Sequence, residues 1–156
     1  ALNPEMTSAV DDTRIFRVYV SALTSLNIDE NNNMSTSDNR LLRRMVRDNR
    51  VRGITPEETI MRWNSVRRGE SKNIFPFQEN ADALFNSALI FELPMLKYYA
   101  EPLLRRIAPN SPAYTEAVRL LKFLDYIVEL QPSEIAAIPP TSIMREFIGG
   151  QTLTRD

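Results

Sequence analysis

"DNRLLRRMVRDNRVRG", residues 38–53, sets six arginines among the thirteen positions from Arg40 to Arg52, in a chain of 156 residues with a formal net charge of −1. At about 100° per residue, Arg40, Arg43, Arg44, Arg47 and Arg50 fall within an arc of roughly 120° on a helical wheel. Leu41, Leu42, Met45 and Val46 occupy the other side. The stretch therefore predicts an amphipathic helix, with Ser37 or Asp38 as its N-cap and Gly53 as its stop. Like charges three or four positions apart on a helix cost roughly 0.2–0.5 kcal/mol per pair. Something outside the helix has to offset that repulsion, either carboxylates of the same chain or an anionic ligand.

Working outward, the basic character extends from Arg40 to Lys72, which holds ten basic residues against Asp48, Glu57, Glu58 and Glu70, a local charge of +6 that leaves −7 for the rest. Nine of those ten are arginines. The planar guanidinium fork matches phosphate oxygens better than the point charge of lysine does. Confinement of the charge to one region of a slightly acidic chain favours a small polyphosphate over a long nucleic acid.

The remaining composition, 43% apolar and 25% charged, is that of an ordinary globular domain. The chain has no cysteine and no histidine, which removes disulfides, thiolate nucleophiles, histidine triads and the usual zinc sites. No apolar run is long enough for a membrane span and no signal pattern opens the chain, so a cytoplasmic protein is expected. The opening "ALNPEM" reads as a cut end.

Before the arginine stretch, "RIFRVYVSAL" (14–23) is rich in β-branched and aromatic residues and apolar on both parities, as in a strand buried on both faces of a parallel sheet. "NIDENNNMSTSDN" (27–39) reads as a polar loop. After it, Thr55, Pro56 and Glu58 form a capping box for a helix expected to stop at Gly69, with Ile60, Trp63 and Val66 inward and Arg62, Arg67 and Arg68 outward. "DALFNSALI" (82–90) is compatible with a second strand. From Glu92 the chain turns helical. Pro102 is placed to kink or divide the first of these helices, and Ser111 and Pro112 open another, with Val118, Leu121, Phe123, Leu124, Ile127 and Val128 as its inward stripe. "QPSEIAAIPP" (131–140) reads as a breaker and "TSIMREFIGG" (141–150) as a short helix ending at Gly149.

Only four glycines occur, so the chain contains neither a phosphate-binding P-loop nor a dinucleotide fingerprint. Trp63, Tyr98 and Tyr99 read as core residues in helical segments. Glu79 and Asp82 read as capping or surface carboxylates, and no metal ligands are assigned.

The pattern D-x-R-L-x-R-R-x-x-R-D, here Asp38, Arg40, Leu41, Arg43, Arg44, Arg47 and Asp48, resembles the lid of uridine kinases in the phosphoribulokinase/uridine kinase group of P-loop phosphotransferases. Arg52-Gly53 matches the R-G that follows that lid, and Pro76 followed by Ala81-Asp82 matches the entry to the next strand. The wording of 65–87 and 138–150 is similar to large bacterial uridine kinase-like proteins. The resemblance implies an α/β fold of which this chain is the carboxy-terminal half, helix-dominated with one or two strands. Residues 1–107 would complete the kinase domain, with the lid at 38–72, and 108–156 would form a helical extension. It implies ATP and Mg2+ as cofactors, both held mainly by an amino-terminal half that also carries the P-loop and the catalytic base, so that this chain alone is expected to be inactive. Arg43, Arg47 and Arg52 would contact ATP phosphates, and Arg44 and Arg62 would lie on the side of the nucleoside acceptor. Where uridine kinases place a second arginine after R-G and a glutamine eight residues later, this chain has Ile54 and Arg62, which points to a more anionic acceptor. Self-association to cover exposed strand edges is expected; membrane and nucleic-acid partners are not. The alternative is a non-catalytic regulatory or nucleic-acid-backbone-binding helical module, or a structural one whose arginines pair within the protein.

Overall fold

The computed structural model describes residues 9–23 and 35–152, and these are dominated by helix with one small parallel sheet. Six α-helices, α1 (Thr36–Arg52), α2 (Pro56–Asn73), α3 (Glu92–Leu104), α4 (Tyr114–Leu124), α5 (Pro132–Ala137) and α6 (Met144–Ile148), accompany two strands, β1 (Val18–Ser21) and β2 (Ala83–Asn86). The described residues form two compact units: 9–23 with 64–88, and 35–63 with 89–152. The division falls within α2, between Trp63 and Asn64. Residues 107 and 108, between which the sequence places a boundary, both lie in the larger unit. The polar loop expected over 27–39 lies outside the described residues as far as residue 34, and so does the opening "ALNPEM".

In the smaller unit β1 and β2 pair in parallel, Val18 opposite Ala83 and Ser21 opposite Asn86. Side chains close both ends of this short ladder. Asp82 Oδ2 accepts the Arg17 amide at 2.6 Å, and Asn86 bonds both the Leu23 amide and the Leu23 carbonyl, at 2.9 and 3.0 Å. Asp82 is thus a structural carboxylate. Burial on both faces is not observed: Tyr19 is buried, whereas Phe16, Val18, Val20 and Phe85 are exposed. A second departure concerns Gly69, which does not stop α2. Its φ is not positive and the helix continues to Asn73, because one interior glycine costs only about 1 kcal/mol relative to alanine. After Asn73 the chain runs into a 3-10 segment, Phe75–Asn80, with Pro76 in its first turn, where a missing N–H costs little.

The larger unit is built on α1. Its N-cap is Ser35, whose hydroxyl accepts the Asp38 amide at 3.0 Å, earlier than Ser37 or Asp38 would have placed it. Gly53 ends the helix at φ 64 as expected. Leu41, Leu42 and Met45 are fully buried, and α1 packs on α3 and α6 while α3 packs on α4. Leu93, Met95, Leu96, Leu104, Leu120, Leu124 and Met144 complete the core, each such side chain contributing about 1.5–3 kcal/mol by leaving water.

Thr55 and Glu58 cap α2 reciprocally at 3.2 Å, and Ile60 and Trp63 are buried, with the indole N–H donating to Ser37 Oγ at 3.2 Å. Pro102 does not divide α3: it sits in the last turn, where it removes the N–H bond to the Tyr98 carbonyl and only Leu103 and Leu104 follow it in the helix. In α4 the inward residues are Ala117, Leu120 and Leu124, and Val128, expected inward, is exposed because the helix ends at Leu124. The supposed breaker at 131–140 contains α5, started by Pro132 and by Glu134, which accepts the Gln131 amide at 2.7 Å. Gly149 terminates α6 at φ 92. No helix among the described residues is long and apolar enough to cross a membrane.

Candidate functional site

Five of the six arginines of α1 divide into two groups. Arg43 and Arg50 are seven residues apart, two turns along one flank, and both turn toward neighbouring helices. Arg43 is 8% exposed and its guanidinium forms a two-pronged pair with Glu92 at the start of α3, itself 1% exposed. The same guanidinium lies over the Phe147 ring, 5.2 Å from its centroid. Arg50 donates to the carbonyls of Phe147 at 2.9 Å and Glu146 at 2.8 Å, at the carboxyl end of α6.

That placement is favourable because the last carbonyls of a helix lack intrahelical partners and carry partial negative charge. Two more cations of the larger unit do the same. Lys97 donates to the carbonyls of Leu124 and Ile127 after α4, both at 2.8 Å, and Arg145 donates to those of Ile135, Ala136 and Ile138 at the end of α5. Gly149 has a packing role beside its positive φ, since a Cβ there would lie 3.2 Å from Arg50 Nη1.

The second group gathers on Asp48, which is buried. Arg44 lies 3.2 Å from its carboxylate, Arg47 3.1 Å and Arg52 3.2 Å. Three positive charges share one negative, leaving a surplus of two. The arginine side chains retain 32%, 29% and 56% of their exposure, so the surplus faces solvent. Arg119 on α4 bonds both Asp38 oxygens and Glu116, and these carboxylates raise its already high pKa.

Of the residues picked from the sequence, Arg44, Arg47 and Arg52 are brought together, Arg43 is engaged separately by Glu92, and Arg62 is exposed on α2. Asp48 is the organising residue that the arginine count passed over. Its position beside Leu41 and Met45 on the helical wheel was a signal that it would be buried. No group of carboxylates able to hold a metal ion occurs among the described residues. No family model, curated protein or solved structure matches the chain.

Proposed function

We propose that this chain is the carboxy-terminal part of an ATP-dependent, uridine kinase-like phosphotransferase, and that α1 supplies arginines to the nucleotide's phosphates. The observation that carries this reading is the surplus of two positive charges on Arg44, Arg47 and Arg52 around the single carboxylate of Asp48. Asp48 holds three forks in one neighbourhood before any ligand arrives, which reduces the ordering cost of binding. The partial negative charge at the carboxyl end of α1 takes back part of the surplus without cancelling it. The order of strand, arginine helix and second strand, with the strands parallel, agrees with an α/β parent.

Bound ATP with Mg2+ would supply the phosphoryl group and neutralise part of its charge. Arg47 and Arg52 bind and orient the phosphate oxygens, and Arg44 lies toward the acceptor. Arg43, held by Glu92, is a positioning residue that fixes α1 against α3 and α6. Arg62 belongs to the acceptor side, where it favours an anionic nucleoside derivative.

The test is a panel of nucleosides, nucleotides and sugars offered to the full-length protein with radiolabelled ATP. A labelled pyrimidine nucleoside or nucleotide is expected, with kcat/KM reduced about 10³-fold or more in Arg47→Ala, the lower end of what a phosphate-stabilising arginine contributes. Failure to label any acceptor overturns the reading.

A second reading is favoured by Arg43 and Arg50, whose charges are consumed inside the protein: α1 as a purely structural helix. In that case Arg44→Ala/Arg47→Ala lowers stability and changes no ligand affinity.

A further inference from the structure

The basic residues of α2 differ from those of α1 in what meets their charge. In α1, Arg43, Arg44, Arg47, Arg50 and Arg52 each engage a carboxylate or a carbonyl. On α2, Arg67, Arg68 and Lys72 are exposed, and among the described residues their side chains make no ion pair or hydrogen bond. Together with Asn64 and Ser71 they recur at intervals of three and four, which puts all five on one stripe of the helix, about 12 Å long at 1.5 Å per residue. These five residues line an open depression of about 610 Å3 in the smaller unit.

Every polar side chain in this lining can donate hydrogen bonds: two guanidinium forks, an ammonium, an amide and a hydroxyl. The stripe itself contains no carboxylate. Glu70, the nearest acidic residue in sequence, is buried rather than exposed. Arg68 and Lys72, four apart, repel each other with no counter-charge between them, an arrangement that an arriving anion would relieve. Three fixed cations call for a ligand bearing several negative charges, and the two forks match phosphate oxygens in pairs. The shortness of the stripe and the chain's net charge of −1 argue against a long polyanion. The stripe lies in the later part of α2, where the helix dipole opposes an anion, so binding must come from the side chains.

We propose that Asn64, Arg67, Arg68, Ser71 and Lys72 form a binding site for a small polyphosphate, separate from the arginines around Asp48. It shares no residue with them and does not depend on the kinase reading. The site offers room for a ligand of nucleotide size.

The 156-residue chain is titrated with inorganic tripolyphosphate while its backbone amides are followed by NMR. The amides of 64–72 are expected to shift saturably. Arg67→Ala/Arg68→Ala is expected to weaken this response about tenfold or more, since two charge-assisted contacts are lost, and to leave any response of residues 44–52 unchanged. Lys72→Ala, at an exposed position, repeats the test with one charge removed. Silence at 44–52 alone counts against the nucleotide role of α1 and not against this site. Absence of shifts over 64–72, or shifts that persist undiminished in both variants, overturns the proposal. So does tighter binding of single-stranded oligouridylate than of tripolyphosphate at the same amides, which would assign the stripe to a nucleic-acid backbone.

Discussion

Glu92→Gln isolates the interaction that fixes the arginine helix in its unit. Glu92 is 1% exposed and both its oxygens accept from Arg43, which is 8% exposed, while Oε2 also accepts the Leu89 amide at 3.3 Å. The glutamine keeps the shape and the acceptor for Leu89 but leaves a guanidinium buried without its counter-charge. Breaking a buried pair in this way costs about 3–5 kcal/mol, whereas replacing both members by neutral groups of similar volume is often close to neutral. Arg43→Met should therefore cost a similar amount. The double variant Arg43→Met/Glu92→Gln should return to within about 2 kcal/mol of the parent, a coupling that a double-mutant cycle measures directly. Urea unfolding followed by the fluorescence of Trp63, the single tryptophan, reports on this unit, since the indole bonds Ser37 on α1. A folding failure of Glu92→Gln that the second substitution rescues would be the same result in extreme form. A loss below about 1 kcal/mol in Glu92→Gln, or strictly additive losses in the double variant, would refute the reasoning that this pair is desolvated and mutually dependent.

Two glycines give opposite signs. Gly69→Ala, inside α2 with open space around its Cβ position, should stabilise by about 0.5–1 kcal/mol, and Gly149→Ala, at φ 92 and against Arg50, should destabilise by about 1–2 kcal/mol or more, both read as urea midpoints. Burial, followed by the neighbouring Tyr98, raises the Tyr99 pKa despite opposing pulls from Arg145 and Arg50. A raised folded-state value means that this stabilisation is complete below the ordinary tyrosine pKa of about 10 and is lost as pH rises through the folded value. Tyrosinate absorbance should show a late component that Tyr99→Phe removes; an unchanged titration curve would contradict it.

Helix existence and the strand pair were legible where local chemistry decides. Thr55, Pro56 and Glu58 announced α2 because a cap, a preorganised first residue and a reciprocal carboxylate act within one turn. Gln131, Pro132 and Glu134 carry the same signals for α5 and were overridden by the run of prolines that follows. The end of α2 was illegible because Gly69 and Pro76 compete as stops, and only geometry shows that the glycine remains helical. The burial of β1 was over-read for a different reason. An apolar run indicates what a strand would gain from cover, and the exposed Phe16, Val18 and Val20 show a face that the described residues do not cover.

The arginine stretch shows where a one-dimensional count stops being informative. A wheel sums charge around a helix, but whether that charge is available depends on which flank meets a neighbour and what that neighbour offers. Arg43 and Arg50 lie beside Val46 on the edge that packs against α3 and α6, and there they encounter a buried carboxylate and a helix end. Arg44, Arg47 and Arg52 encounter Asp48, one carboxylate for three cations. The quantity relevant to an anionic ligand is therefore the uncompensated, exposed remainder and not the number of arginines. By that measure the six arginines of α1 offer less than their number suggests. Three of the four basic residues of α2, Arg67, Arg68 and Lys72, offer more along a helix the sequence expected to stop at Gly69, because Lys72 completes the stripe only when the helix continues past that glycine.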